Sequence, residues 1–318
     1  MRMIFWTIVT LVLVAGGTFV WLFDKEAGAI DDKIVRMGAF TRAMDFGVYF
    51  IALEKGWFEE AANKHGYRVV YTEFQTLAPI NESLATDKLD LVAYAEAPFL
   101  VGASAGIDVK IAEIIGTHKQ QVMVHKDSDI HAIADFKNKK VAALSGSSAH
   151  YLVSSKTKEA GLTDKDFTFI DLTPLDAQAA FVTDQIDVWA IWPPHSEQLE
   201  VSGAAKPVPG WATPIPTFVG ARQGFVSENP ELYGDLMAAM EKARVWFHDN
   251  EEEALKFLAE YCDVDLPVAQ LFNEREDFNA SISPEIVSSM QKTADFLHEK
   301  GFIKNSVNAE DAFMRTDY

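Results

Sequence analysis

The chain has 318 residues, 48% of them apolar, which is long and apolar enough for two ordinary domains with real cores and excludes a disordered tail. A formal charge of -19 with no basic stripe excludes nucleic acid and anionic lipid as natural partners. Cys262 is the sole cysteine, so an intrachain disulfide and a thiolate metal cluster are excluded as well.

Residues 4–23 are uncharged, preceded by Arg2 and followed by Asp24, Lys25 and Glu26. At about 1.5 Å per helical residue this stretch matches a hydrocarbon core of about 30 Å. Arg2 on the leading side predicts a cytoplasmic N-terminus and an exported body. Residues 1–29 therefore read as a signal peptide or an N-terminal membrane anchor. Ala27, Gly28 and Ala29 offer a small-residue cleavage site, whereas the long apolar run and the charges before that site favour retention, and both outcomes stay open. No Cys directly follows the run, which excludes a lipoprotein anchor.

Further along, two stretches echo one another. An extended run at residues 33–40, a helix ending near Gly56 and a strand at residues 67–74 lead to TDKLDLVA (residues 86–93), which ends at Pro98. A run at residues 140–144, a helix ending at Gly161 and a strand at residues 167–172 lead to TDQIDVWA (residues 183–190), which ends at Pro193. Both read βαβαβ, which predicts two α/β lobes, each with a mostly parallel sheet and with ligands beyond the carboxyl ends of the strands. The prolines of KPVPG (residues 206–210) and TPIP (residues 213–216) predict a connector. Beyond it, Leu232, Leu236, Met240, Ala243 and Phe247 recur at helical spacing, as do Ile286, Met290, Ala294 and Leu297 behind the cap Ser283-Pro284. These stripes read as core faces.

The string SGSSAH (residues 145–150) lies between a strand and a helix start. It lacks G-x-S-x-G, a Walker A lysine and any G-x-G-x-x-G, so neither a serine hydrolase nor a nucleotide fold is indicated. The eight histidines show no metal-ligand spacing and read as surface or satisfied core side chains. A glycine turn rich in hydroxyls before a helix is, however, a cradle for a small oxyanion, and equally a simple N-cap by Ser147 or Ser148. The residues alone leave both readings open.

From residue 33 to about residue 230 the chain resembles the substrate-binding proteins of ABC importers for aliphatic sulfonates, taurine and nitrate. The strings that carry this are Gly56-Trp57-Phe58, Ala97-Pro98, Ala134-Asp135-Phe136-Lys137, Gly146-Ser147-Ser148-Ala149-His150 and Asp187-Val188-Trp189-Ala190-Ile191-Trp192. The resemblance implies a two-lobed type II periplasmic-binding-protein fold, preceded here by an N-terminal hydrophobic helix. Lobe 1 would comprise residues 30–120 plus 220–318, and lobe 2 residues 121–219, with crossover strands near residues 119–123 and 217–222. It further implies an extracytoplasmic, non-enzymatic protein without cofactor or metal. Its partners would be a small-molecule solute, an ABC permease and its ATPase, and the membrane if the N-terminal helix is uncleaved.

Carried onto this chain, the expected ligand-binding residues are Thr41, Arg42, Gln75, Tyr94 and Glu96 in the first lobe, Ser145, Ser147, Ser148 and Trp192 in the second, and Phe218 and Arg222 near the hinge. Arg42 and Arg222 would pair with a sulfonate, and Trp192, Tyr94 and Phe218 would pack its apolar part unless they are core aromatics. The turn at residues 145–148 would face Arg42 and Tyr94 across the cleft. Glu96, where relatives carry G-D-A-P, would suit an aminosulfonate such as taurine or a cationic heterocycle; Pro193 follows Trp192 where they carry aspartate. Nitrate, bicarbonate, a thiamine-precursor-like pyrimidine, and a role as a membrane-anchored solute sensor are the alternatives.

Overall fold

The computed structural model describes residues 33–314 apart from 76, 77, 212 and 280. The apolar stretch at residues 4–23 and the cleavage motif at residues 27–29 lie outside the described residues. Among the described residues no helix is long and apolar enough to cross a membrane.

β1 (Lys33–Phe40) runs through a 3-10 turn (Met44–Phe46) into α1 (Gly47–Glu54) and α2 (Trp57–Asn63), and β2 (Tyr67–Phe74), α3 (Ala78–Ala85) and β3 (Leu91–Ala95) complete the first unit. After α4 (Glu96–Ser104), the long β4 (Val109–His125) crosses to the second unit. That unit is β5 (Lys140–Ala143), α5 (Ser148–Glu159), β6 (Thr168–Asp171), α6 (Pro174–Val182) and β7 (Val188–Ile191). Then come α7 (His195–Val201), β8 (Ala205–Pro207) and β9 (Thr213–Arg222), followed by α8 (Gln223–Glu228), α9 (Pro230–Asp249), α10 (Glu251–Cys262), α11 (Leu266–Asn273) and α12 (Pro284–Glu299).

The strands form one sheet in the order β2-β1-β3-β9-β4-β7-β5-β6, with β8 beside β4. Each βαβαβ unit has the same parallel arrangement, its first strand between the other two. Every residue of β7 and all but the last of β3 are buried, because helices cover both faces of a parallel sheet. Between the units, β4 and β9 pair antiparallel from Val109 opposite Arg222 to Gln120 opposite Thr213, and β4 then changes partner to β7 over Gln121 to Val124.

The TPIP string is strand and not connector. Pro214 and Pro216 sit opposite Lys119 and Thr117 of β4, before β9 acquires its second neighbour β3 at Thr217. Proline donates no N–H, so it is tolerated where one side of the strand is unpaired. The helical stripes fall where their periodicity places them. Leu232, Leu236, Met240, Ala243 and Phe247 of α9 enter the core on one face of the first unit, and Met290, Ala294 and Leu297 of α12 enter the core on the other. Ser283 caps α12 by accepting from the Ile286 N–H at 3.3 Å.

At the amino end of β3, Asp90 is fully buried and holds three strands in register. Its carboxylate accepts from the Arg36 guanidinium on β1 at 2.8 and 2.9 Å and from Arg222 on β9 at 2.9 Å, and also from the Arg36 backbone N–H at 2.9 Å. Removing one partner of such a buried pair costs more than the pair contributes net, because the remaining charges stay desolvated. Asp90→Ala is expected to lower the unfolding free energy by roughly 3 kcal/mol, which a urea titration followed by tryptophan fluorescence would measure. A change within experimental error would show that the clamp does not hold the strands.

Candidate functional site

A cavity of about 610 Å³ lies at the carboxyl ends of β1, β3, β5 and β7. The turn after β1 contributes Thr41, Arg42 and Asp45, and the start of α4 contributes Ala97 and Pro98. Across from them stand Ser145, Gly146, Ser147 and Ser148 after β5, and Trp192, His195 and Gln198 after β7. The two long strands supply His118, Gln120 and Ile215, and Cys262, Asp263 and Val264 close one side from the end of α10.

The SGSSAH turn divides its two candidate serines between the two roles left open. Gly146 has φ +74, a left-handed backbone that only glycine adopts at little cost, and the turn it permits brings Ser147 to the N-cap of α5. The Ser147 hydroxyl accepts from the His150 N–H at 3.2 Å and donates to the Leu144 carbonyl at 2.6 Å, so both of its capacities serve the turn. Ser145 donates its N–H to Asp171 at 2.8 Å, and Gly146 donates its N–H to His150 Nδ1 at 3.3 Å. The His150 ring stacks on Phe169 with centroids 4.3 Å apart and fixes the turn from behind. Ser148 is different. It is 8% exposed, lines the cavity, and accepts from the Gln120 side-chain amide at 2.6 Å, which leaves its own hydroxyl proton to donate.

Thr41, Arg42, Ser145, Ser147, Ser148 and Trp192 share the cavity, while Gln75, Tyr94, Glu96, Phe218 and Arg222 stand elsewhere. Gln75 is exposed just past β2. Tyr94 and Phe218 are core aromatics packed edge-on with Phe99, and the Tyr94 hydroxyl donates to the half-buried Asn81, which lines the cavity. The turn at residues 145–148 thus shares its cavity with Arg42 but not with Tyr94. Arg222 is bound to Asp90 at the opposite end of the sheet, since β9 runs antiparallel to β3 and its last residues lie beside the beginning of β3. Arg42 has φ 54 and reaches Asp263, itself at φ 58, over 3.2 Å, an exposed pair of the kind that contributes little to stability. Trp192, half-buried, precedes the cis Pro193-Pro194 peptide.

His118 departs from the expectation of a surface or satisfied core histidine. It is 3% exposed, neither ring nitrogen has a hydrogen bond among the described residues, and Asp45 Oδ2 lies 3.5 Å from Nδ1. Burial holds the imidazole down to about 3, so it is neutral at physiological pH, and burial pushes the Asp45 carboxyl up to about 7. Burial likewise pushes the Cys262 thiol up to about 12. Asp45, His118 and Gln120 are the residues missed from the sequence. The signal available was the polar run THKQQ within β4, but alternation along a strand does not say which face meets a cavity. Among the described residues no group of three or more His, Cys, Asp or Glu is placed to hold a metal ion.

The family model described as NMT1/THI5 like matches residues 43–254. A putative aliphatic sulfonates-binding protein of Bacillus subtilis is 34% identical over 84% of this chain and 82% of its own length. The crystal structure of the periplasmic aliphatic sulphonate binding protein SsuA from Escherichia coli superposes with a TM-score of 0.76, at 22% identity over 89% of this chain and 92% of that one. The desulfurization enzyme DszB shares the fold with a TM-score of 0.68, at 14% identity over 89% and 97%.

Glu96, away from the cavity, is a test of the electrostatics. Burial raises its carboxyl from an ordinary 4.5 to about 7, opposed by the Thr293 hydroxyl beside it. Between those two values the folded protein keeps a proton that the unfolded chain releases, so stability falls as pH rises through this window and the loss is complete above it. The loss amounts to roughly 3 kcal/mol. Glu96→Gln is therefore expected to melt above the parent at pH 8 and to match it near pH 4.5. A melting difference that does not change with pH would contradict the assignment.

Proposed function

Because the chain belongs to the NMT1/THI5-like family, we propose that it is the extracytoplasmic solute-binding protein of an ABC importer and that its cavity takes a small sulfonate-like solute. The observation that carries this reading is Ser148, which lines the cavity at the start of α5 and whose hydroxyl, among the described residues, accepts from Gln120 and donates to no protein acceptor. The first N–H groups of a helix attract an oxyanion, and the helix dipole adds about 0.3–1 kcal/mol. Arg42 lies on the same cavity and would exchange its exposed Asp263 partner for the solute. The half-buried Trp192 offers an apolar surface for the alkyl part. The Bacillus relative, which the chain matches over most of its length, is named for binding aliphatic sulfonates.

Capture would proceed by closure of residues 121–219 against residues 30–120 and 220–318 about β4 and β9, followed by delivery to a permease driven by its ATPase. If the N-terminal helix is retained, it tethers the protein beside that permease and raises its effective concentration there. Binding without chemistry fits the reactive groups at hand. The Cys262 thiol is not ionised at neutral pH, and the Ser147 hydroxyl is committed to a carbonyl. An enzyme on this fold, as DszB is, needs an activated group that these two do not supply.

Thermal shift of the full-length protein with ethanesulfonate, nitrate, bicarbonate and an aminopyrimidine is expected to show a rise with the sulfonate, because a ligand that binds only the folded state stabilises it. A rise with the pyrimidine alone would overturn the sulfonate reading. The two serines should separate. Ser147→Ala is expected to lower the stability of the free protein by about 1 kcal/mol as a lost cap. Ser148→Ala is expected to weaken sulfonate binding about tenfold by calorimetry, the loss of one hydrogen bond to a charged group. Unchanged sulfonate affinity in Ser148→Ala would remove this residue from the site.

A further inference from the structure

The floor of the cavity carries acceptors that a bare anion cannot satisfy. His118 and Gln120 are two residues apart on β4, so their side chains leave the same face about 7 Å apart. Gln120 gives one of its two amide N–H groups to Ser148 at 2.6 Å and leaves Oε1 buried and unpaired, while neutral His118 leaves one ring N–H and one acceptor nitrogen unpaired among the described residues. Asp45 stands 3.5 Å from His118 and lines the cavity with it. Asp45 lies close enough to Glu276 to raise its carboxyl further, and among the described residues neither Glu276 oxygen is hydrogen-bonded. Gly116 leaves room for it, since a Cβ there would stand 2.6 Å from Glu276 Oε1.

The arginines around this cluster are engaged elsewhere. Arg42 pairs with Asp263, Arg275 with Glu197 and Glu200, and Arg244 with Glu113 and Glu241. Buried acceptors with no donor are costly, and a sulfonate, which has only acceptor oxygens, relieves none of that cost. A protonated nitrogen relieves it on two counts, by charge opposite Asp45 and by N–H donors for Gln120 Oε1, an Asp45 oxygen and the unprotonated nitrogen of His118. A charge partner of this kind also favours the ionised form of a carboxyl that burial has raised to about 7.

We propose that Asp45, His118 and Gln120 form a second subsite that binds a protonated nitrogen of the solute, so that the protein selects short zwitterions over plain alkanesulfonates. The inference rests on the sulfonate reading for the Ser148 end of the cavity. Gln120 joins the two ends, with Nε2 on Ser148 and Oε1 left for the nitrogen, so oxyanion and nitrogen are set apart by little more than one side-chain amide, which suits a short spacer.

Two solutes of equal heavy-atom number test it: 2-aminoethanesulfonate and propane-1-sulfonate, titrated calorimetrically into the full-length protein, with propylamine as a third probe. The aminosulfonate is expected to bind at least about tenfold tighter than propane-1-sulfonate. Asp45→Asn, which keeps the shape of the side chain, is expected to bring that ratio close to one, and Gln120→Leu to reduce it in part. Should Asp45→Asn fail to fold, the parent ratio and the Gln120→Leu ratio decide the matter. Equal or tighter binding of propane-1-sulfonate to the parent overturns this inference and leaves the sulfonate reading standing. If no sulfonate binds but propylamine binds the parent and not the Asp45→Asn protein, the subsite stands and the sulfonate reading fails. If none of the three binds, both fail.

Discussion

The antiparallel pairing of β4 with β9 governs most of what surrounds the cavity. Two strands crossing between parallel units must run in opposite directions, so whatever one brings to the cavity end of the sheet the other carries away from it. β4 therefore delivers His118 and Gln120, late in its length, to the same place where β9 delivers Ile215, early in its own. The later residues of β9 go to the far end, where Arg222 joins Arg36 around Asp90. A cationic side chain late in β9 thus becomes part of the clamp around Asp90 in the first unit, and the cavity end of the sheet is left with few cations.

The shortage of cations around the cavity shapes its electrostatics. A chain of formal charge -19 has carboxylates to spare, and most of them sit in water where they serve solubility. Asp45, Glu96 and Glu276 do not, and burial pushes each of their carboxyls up, while the same burial holds His118 neutral. Groups of this kind exact a cost in stability at neutral pH that an ordinary core would avoid. Asp45 and His118 line the cavity, whereas Glu96 is packed away from it beside Thr293 of α12.

Much of the fold was legible in the residues. The repeated order of elements in the two units, the buried stripes of α9 and α12 and the cap at Ser283 are local patterns, fixed by periodicities of two and 3.6 and by the backbone demands of proline and serine. The SGSSAH turn was legible as a turn for the same reason. Gly146 permits a left-handed backbone and Ser147 satisfies the first N–H groups of α5, whatever the rest of the chain does. Prolines were the local signal that misled. Pro214 and Pro216 read as a connector, yet a strand with one unpaired side accepts them, and whether a side is unpaired depends on a neighbour far away in sequence.

The division of labour inside the cavity belongs to the tertiary structure alone. Tyr94 and Phe218 become core because adjacent strands place them opposite one another, and Ser148 becomes a cavity residue because Gln120, from a distant strand, approaches it. Which polar residues of THKQQ are buried, and against what, follows from pairings between strands that are far apart in the chain. The sequence by itself determined the elements, their repetition and the family they belong to, since each of these is written in short strings. Only the tertiary structure decided which residues meet, because strand order and direction are set by non-local hydrogen bonds, and burial, with the electrostatics that depend on it, comes from the neighbours those bonds bring together.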